Sequence, residues 1–452
     1  MQLKLLLLDL LSRSKVYKLY SELSKSQWLT ASDLGQLQNE KLKALLNHAY
    51  KNVPYYRSVL PKEGSDTRSV LDMLKDIPLL SRRLLQEKVQ ELADETKNLK
   101  TMGLVSSSGT TGSVVKVYVD GGAMTYSRAL EKRGEYEWTG TDFFAKKIIF
   151  VTLKRDRKNF IRKLVNFARS RWRYCLVDIE KRRFLKDEEL KPYFDEIIII
   201  RPQIVRGLAS CLRRAAEYLL DNDIREIRPN AVISNSEPLT LKTKKLIEEA
   251  FGARVYNQYG LSECGTVASE CPHGQMHINS ERFILEIIKE GKVAAPGEEG
   301  EIVITDLHNY GFPLIRYGTR DLGILGSNPC SCGRGLPVLE KVVGRTVEII
   351  YTPSGDSVPA TQMDHIFGNI PYTQVKQVQL YQPSIDRMVV RLIKGHEYSE
   401  DSGIKAMSLI EYYFKDTGVI LSLEFCDNIP TTKSGKMQFY LCGYNANAGQ
   451  EP

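Results

Sequence analysis

The stretch Val105-Ser106-Ser107-Ser108-Gly109-Thr110-Thr111-Gly112-Ser113 decides how this chain is read. Its residues suit two tasks. Small polar residues make a solvated linker. They also make a phosphate cradle, in which glycines turn backbone N–H groups inward and hydroxyls add further donors. An expected strand, Met102 to Val105, enters the stretch and another, Val114 to Val119, leaves it. The Gly-Lys-Ser/Thr ending of a Walker loop is absent and no helix opens at once after the last glycine, so that nucleotide-loop pattern does not apply. Composition leaves linker and cradle both open. The decision rests on what else the chain carries.

At 452 residues the chain exceeds the size at which one hydrophobic core stops growing, so a large domain and a second one are expected. Hydrophobic content of 42% and charged content of 26% are those of a folded soluble protein. A net charge of +8 is modest for this length; it gives a weak preference for acidic ligands and no case for nucleic acid. The N-terminal run MQLKLLLLDLL is broken by Asp9 and followed by no small-residue cleavage site, so no signal peptide is expected. No segment approaches the roughly 20 apolar residues of a transmembrane helix. Packing on the core and peripheral contact with a membrane surface both remain open for this run. Eight scattered cysteines are too few for a disulfide framework and indicate a reducing, cytoplasmic compartment.

The first ~100 residues read as helices, with Leu37 to Tyr50 the clearest and Pro54 breaking the pattern. From Gly103 to about Arg345, β-rich runs (Lys147 to Val151, Glu196 to Ile200, Ala231 to Ile233) alternate with helical ones (Leu208 to Leu220, Leu239 to Ala250), the pattern of an α/β sheet. Phe283 to Ile288 and Glu301 to Ile304 are close together and predict an antiparallel β subdomain. Beyond Thr346 strands near 375–394, a helix near 400–416 and a strand from Val419 to Phe425 predict a small α+β unit. The basic stretch from Leu153 to Tyr174, with Phe160, Leu164 and Phe167 at helical spacing, reads as a solvated amphipathic helix or as a face for an acidic partner or membrane.

Ser-Ser-Gly-Thr-Thr-Gly followed by Lys116 resembles the phosphate loop of adenylate-forming enzymes: acyl-CoA synthetases, luciferases and peptide-synthetase adenylation domains. The family's other motifs follow in order. SNSEPLT, Ser234 to Thr240, resembles the adenine-pocket segment. NQYGLSECG, Asn257 to Gly265, resembles the motif whose Tyr stacks on adenine and whose Glu holds Mg²⁺. RYGTRDLG, Arg316 to Gly323, resembles the segment whose Asp binds both ribose hydroxyls. Gly344-Arg345 stands where the interdomain hinge belongs, and IPTTKSGKMQ, Ile429 to Gln438, resembles the motif that carries the catalytic Lys. LLNHAYKNVPYYR, Leu45 to Arg57, RYGTRDLG and CSCGR further resemble the phenylacetate–CoA ligase-like branch, which includes relatives associated with capsule and surface polysaccharides.

The resemblance implies an α/β fold: a large N-terminal domain of mixed α/β layers with a β subdomain, residues 1–345, and a small mobile α+β C-terminal domain, residues 346–452. It implies that Lys436, Glu263 and Arg345 are catalytic. It further implies that ATP is held by Ser107, Ser108, Gly109, Thr110, Thr111, Gly112, Ser236, Glu237, Pro238, Asn257, Gln258, Tyr259, Gly260, Ser262, Asp321 and Arg345, with Thr110 and Thr111 as phosphate donors and Glu263 on Mg²⁺. The residue types suit those roles: an aromatic face for a purine, a carboxylate for vicinal hydroxyls, a hard oxygen for Mg²⁺ and a mobile cation for developing negative charge. Arg206 to Ser210 and Ser234 to Ser236 are candidates for the substrate pocket. Two departures stand out. The branch's usual Gly-Arg-x-Asp-Asp hinge reads Gly344-Arg345-Thr346-Val347-Glu348, and Ser113 follows the loop's last glycine where Lys or Pro is usual.

ECPHGQMHINSE and NPCSCGRG bring thiols and imidazoles in the number a four-coordinate structural Zn²⁺ requires. The expected set is Cys271, His277, Cys330 and Cys332, with His273 in reserve; it resembles zinc-bearing members of the branch. Incidental buried cysteines are the other reading. The function implied is ATP-dependent activation of a small carboxylic acid as acyl-AMP, then transfer to coenzyme A. An amine or carrier acceptor in surface polysaccharide biosynthesis and a nucleotide-binding protein of impaired catalysis are the alternatives. Oligomeric state is open, a dimer among the options.

Overall fold

The computed structural model describes Asp9 and residues 15–61, 69–106, 115–151, 171–178, 183–345, 349–355, 357–360, 370–371, 373–431 and 438–444. The chain forms two compact units, residues 1–143 with 256–342 and residues 144–255 with 343–452. Among the described residues no helix is long and apolar enough to cross a membrane.

In the first unit, Thr30 caps the helix Ala31–Asn52 by accepting the Asp33 N–H, and Pro54 opens the next helix, Pro54–Val59, at a position where a missing N–H is harmless. The long helix buries Leu42, Leu45, Leu46 and Ala49. They join a core with Phe283, Ile302, Ile304, Phe312 and Tyr317 from the antiparallel β subdomain. There Phe283–Lys289 pairs with Glu299–Asp306, which pairs with Tyr317–Leu325. A separate antiparallel ladder joins Val255–Leu261, Gly265–Glu270 and Met276–Ile278. Gly103–Ser106 and Lys116–Val119 form a hairpin with Ser106 opposite Lys116. The Ser/Thr/Gly residues 107–114 that join these strands lie outside the described residues.

In the second unit, the parallel strands Arg171–Cys175, Lys147–Val151, Ile204–Leu208 and Ala231–Asn235 lie side by side in that order. The crossovers into Ile204–Leu208 and Ala231–Asn235 carry the helices Asp187–Ile200 and Ala209–Asp221, as parallel pairing requires, and the helix Leu241–Phe251 follows the last of these strands. The C-terminal part has its own sheet and core. Val375–Ser384 and Arg387–Lys394 pair antiparallel, with Ile420–Phe425 and Tyr440–Cys442 added parallel on either side. Leu380, Val390, Leu392, Ile410 and Phe414 fill its interior under the helix Glu400–Phe414.

Two local expectations are corrected. Glu196 to Ile200 is the end of a helix and not a strand: Leu190, Phe194, Ile197 and Ile200 fall on one buried face, three acidic residues favour the N-terminus, and Arg201 ends the helix at φ 52°. The β-branched run suited either structure, and the preceding periodicity decided. Arg171 to Tyr174, the end of the basic stretch, is strand and buries Tyr174. The rest of that stretch, residues 152–170, lies outside the described residues.

Candidate adenylate and metal sites

The strand Tyr317–Leu325 is interrupted where the first site is built. Glu301 pairs with Leu322 and Val303 with Gly318, so Ile302 alone stands opposite Thr319, Arg320 and Asp321. Such a bulge bends the strand and re-aims its side chains. Each turn of this one is held. The Thr319 hydroxyl donates to the Ile302 carbonyl (2.7 Å) and accepts the Asp321 N–H (3.1 Å). Arg320, at φ 64°, donates its N–H to Glu301 Oε1 (3.0 Å). A Cβ at Gly318 would stand 2.9 Å from that same oxygen, so a larger residue there would push the Glu301 carboxylate aside.

The bulge aims Asp321 at Tyr259, whose hydroxyl donates to Asp321 Oδ2 at 2.7 Å. Tyr259 lies near the end of the strand Val255–Leu261. Gly260 beside it allows the return strand to close in: an added Cβ would lie 2.9 Å from the Gly265 carbonyl oxygen. Burial first, and the Asp321 charge second, push the Tyr259 phenol well above its ordinary range, so it stays a donor. Glu263, also buried, accepts from the Tyr317 hydroxyl (3.2 Å) and has the Arg82 guanidinium 3.7 Å away. Arg82 follows the Ser81 cap of a short helix. The turn before it is tied down by Arg316, whose guanidinium donates to the Lys75 and Ile77 carbonyls and to Glu286. Ser262 is exposed in the same turn as Glu263; Gln258 is buried, and Asn257 donates its N–H to Glu270 Oε2 (3.0 Å).

The second unit holds the other motif. Arg206 pairs with Ile233, Gly207 with Ser234 and Leu208 with Asn235, so the two candidate pocket segments stand next to each other at the carboxyl ends of parallel strands. Ligands of open α/β sheets bind at that end. Ser236 takes φ 63° as the strand turns away. Glu237 Oε2 then accepts the Ser210 N–H (2.8 Å) in the first turn of the helix Ala209–Asp221, where the helix dipole favours a carboxylate. Ser236 and Pro238 are exposed. Gly344, in the expected hinge segment, takes φ 143°, a conformation that favours glycine. The hinge residues 346–348, the Arg345 side chain, Ser107 to Gly112 and Lys436 lie outside the described residues.

The metal-seeking side chains converge in the first unit. Ligand atoms of Cys271, His277, Cys330 and Cys332 all lie within 4.8 Å of one another. Cys271 Sγ and Cys330 Sγ are 3.8 Å apart, and Cys332 Sγ is 3.3 Å from His277 Nε2. Thiolates at about 2.3 Å from a tetrahedral zinc ion stand about 3.8 Å apart, so the cluster fits that ion. His277 Nδ1–H donates to the Leu336 carbonyl (2.8 Å), which leaves Nε2 available to a metal. The Cys332 N–H donates to Cys330 Sγ (3.4 Å) and the His273 N–H to Cys271 Sγ (3.3 Å). The His273 ring points away and meets Ser331 Oγ (2.9 Å), outside the four.

Arg82, Thr319 and Glu301 are the site residues that motif reading left unassigned. Thr319 lay inside a quoted motif, but its bond to Ile302 depends on a pairing register no motif states. Arg82 carries no sequence signal at all.

Residues 350–441 match the family model described as CapK C-terminal domain. Protein CapK of Staphylococcus aureus is 24% identical over 421 residues, covering 90% of this chain and 89% of that protein. The phenylacetate-coenzyme A ligase of Thermus thermophilus is 25% identical over 362 residues, 76% of this chain and 77% of that one. Among solved structures, 2-hydroxyisobutyryl-CoA ligase in its postadenylation state shares the fold, with a TM-score of 0.72 at 14% identity, over 92% of this chain and 90% of that chain. Similarity to CapK and the phenylacetate–CoA ligases over most of the chain, with the fold shared with an acyl-CoA ligase, supports placing it in the adenylate-forming superfamily, in the branch of those relatives.

Proposed function

We propose that the protein is an ATP-dependent, AMP-forming carboxylate ligase. A small carboxylic acid attacks the α-phosphorus of ATP, pyrophosphate leaves, and the acyl group of the resulting acyl-AMP passes to an acceptor thiol, that of coenzyme A. The observation that carries the proposal is the Tyr259–Asp321 pair on the Thr319 bulge. A buried carboxylate held by a neighbouring donor suits two vicinal ribose hydroxyls, and the adjoining aromatic face suits a purine.

In this reading residues 1–345 hold ATP and the acid, and residues 346–452 form a lid that brings Lys436 to the reacting carboxylate. Thr110 and Thr111 donate to the β- and γ-phosphates. Ser236, Glu237 and Pro238 belong to the motif that binds adenine in the family, and Asn257, Gln258, Gly260 and Ser262 to the nucleotide-binding motif around Tyr259. Arg345 acts at the hinge, on the nucleotide. Mg²⁺ would be held by Glu263, a buried hard oxygen, and would neutralise phosphate charge. Zinc on Cys271, His277, Cys330 and Cys332 would be structural, since adenylation needs no metal-bound water there. Catalysis is positioning and charge neutralisation. The enzyme works in the cytoplasm.

A second acceptor class stands beside it because similarity to a relative not named as a CoA ligase, CapK, extends over 90% of the chain, against 76% for the phenylacetate–CoA ligase of Thermus. An amine or carrier-thiol acceptor in surface polysaccharide biosynthesis is that reading. Pyrophosphate–ATP exchange across aryl, aliphatic and amino acids tests the first step, and product mass with CoA or amines tests the second. Exchange with at least one acid, abolished in Lys436→Ala, is expected. ATP binding without exchange on any acid would favour a nucleotide-binding protein of impaired catalysis, and exchange untouched by Lys436→Ala would remove that residue from the mechanism.

A further inference from the structure

The loop that carries Cys330 and Cys332 also holds the turn between the two N-terminal helices, Val16–Ser26 and Ala31–Asn52. Arg334 leaves that loop between two indoles, its guanidinium carbon 4.9 Å from the Trp28 ring and 5.0 Å from the Trp138 ring. Arg334 Nε donates to Gln27 Oε1 (2.9 Å), and the same oxygen accepts from Trp138 Nε1 (2.8 Å). The Gly335 N–H donates to the Gln27 carbonyl (3.0 Å). A Cβ on Gly335 would stand 1.8 Å from the Leu29 carbonyl oxygen, so the approach requires glycine. Gln27 is fully buried, and its amide nitrogen donates to Ser24 and Glu137.

On its other side the same assembly meets the Cys/His cluster. The Trp138 ring stands edge-on to His277 with centroids 5.9 Å apart. Cys271 and Cys330 share one apolar cluster with Leu34, Trp138, Leu336 and Val338, and Leu29 and Leu37 pack against it. The loop from Cys330 to Pro337 has no helix or strand of its own. It is tied at Gly335 to Gln27, at Leu336 and Pro337 to His277 and Ile278, and at Val338, where the chain pairs with His277; its thiol of Cys332 stands 3.3 Å from that histidine. Ions that bridge ligands from distant segments contribute directly to folding.

We infer that metal at Cys271, His277, Cys330 and Cys332 is the anchor of the N-terminal helices: it sets the loop that holds Arg334 between Trp28 and Trp138 and so docks the turn from Gln27 to Thr30. The inference rests on the metal reading above and is independent of the ligase reaction. The three tryptophans of the chain are Trp28, Trp138 and Trp172, so Trp172→Phe leaves emission only from the two indoles around Arg334.

The experiment uses the full chain of that variant loaded with zinc, then stripped with a chelator and reloaded with zinc. Metal content, tryptophan emission and amide exchange are followed together. Removal is expected to shift the emission and to raise exchange about tenfold or more over residues 24–36, with residues 283–306 unchanged and zinc restoring both. Arg334→Met, with Arg334→Lys as a milder companion, is expected to keep its zinc while emission and exchange at 24–36 stay at the stripped level and no longer respond. Zinc lost with emission and exchange unmoved would overturn the anchor and leave the metal site standing. A chain that neither holds nor takes up zinc would overturn both.

Discussion

Two corners of the first unit gather reactive side chains in opposite ways. At the Thr319 bulge each acidic group meets a protein donor: Asp321 receives the Tyr259 hydroxyl and Glu263 the Tyr317 hydroxyl. At the Cys/His cluster the ligand atoms face one another, within 4.8 Å. The first corner is complete as protein and can wait for a nucleotide without loss of structure. The second becomes repulsive once its thiols ionise, and a cation is what relieves it. In the proposed function the first corner therefore governs turnover, whereas the second governs stability.

The largest expected effect tests the second half of that contrast. Cys271→Ser or Cys330→Ser should lose the metal and lower the thermal unfolding midpoint by roughly 10 °C, and zinc should no longer raise it. Asp321→Ala, which leaves the Tyr259 hydroxyl without its acceptor, should lower that midpoint by only a few degrees and leave its response to zinc unchanged. A zinc-independent midpoint in the parent chain would break the comparison. Asp321→Ala should instead lower exchange activity about a hundredfold, from two lost charge-assisted hydrogen bonds of about 1.5 kcal/mol each. The loss should be smaller with 2′-deoxy-ATP, which already lacks one of them. An equal loss with both nucleotides would move Asp321 away from the ribose.

Thr319→Val separates the bulge from the carboxylate it carries. The substitution leaves the Ile302 carbonyl and the Asp321 N–H without the hydroxyl that serves both. It should destabilise the fold by about 1–3 kcal/mol and raise the KM for ATP more than that for the acid. Denaturant titration and steady-state kinetics read the two effects apart.

What the sequence made legible follows the same division. Tyr259, Asp321, Cys271, His277, Cys330 and Cys332 stood in short motifs, where residue type and spacing carry the chemistry, and the α/β alternation showed in runs such as Lys147 to Val151. The parts that hold them in place were not legible. Thr319 acts on Ile302 through a bulged register, and Arg334 meets Gln27 across 307 positions of chain, separations no local pattern encodes. Glu196 to Ile200 misled because β-branched side chains favour strands, while their helix was set by Leu190 and Phe194 upstream and an acidic first turn. The reserve ligand His273 had the right chemistry, but its ring meets Ser331 beyond the cluster.

The smallest effect is the most specific. Tyr259→Phe keeps the aromatic face and removes only the donor to Asp321, so it should weaken ATP by about tenfold and leave the KM for the acid nearly untouched. Its pH dependence follows from the shifted phenol. Burial, then Asp321, raise the folded pKa of Tyr259 well above the ordinary tyrosine value, so the folded state holds the proton more tightly than the unfolded chain. The phenol therefore contributes its full stabilisation below about pH 10, where an unfolded tyrosine titrates, and loses it progressively as pH rises toward the folded pKa. Parent and Tyr259→Phe should differ in stability by a constant amount from pH 7 to 9 and converge above about pH 10. A difference that instead changes between pH 7 and 9 would mean that the Tyr259 hydroxyl titrates near neutrality, and that this corner is not closed by its own hydrogen bond before the nucleotide arrives.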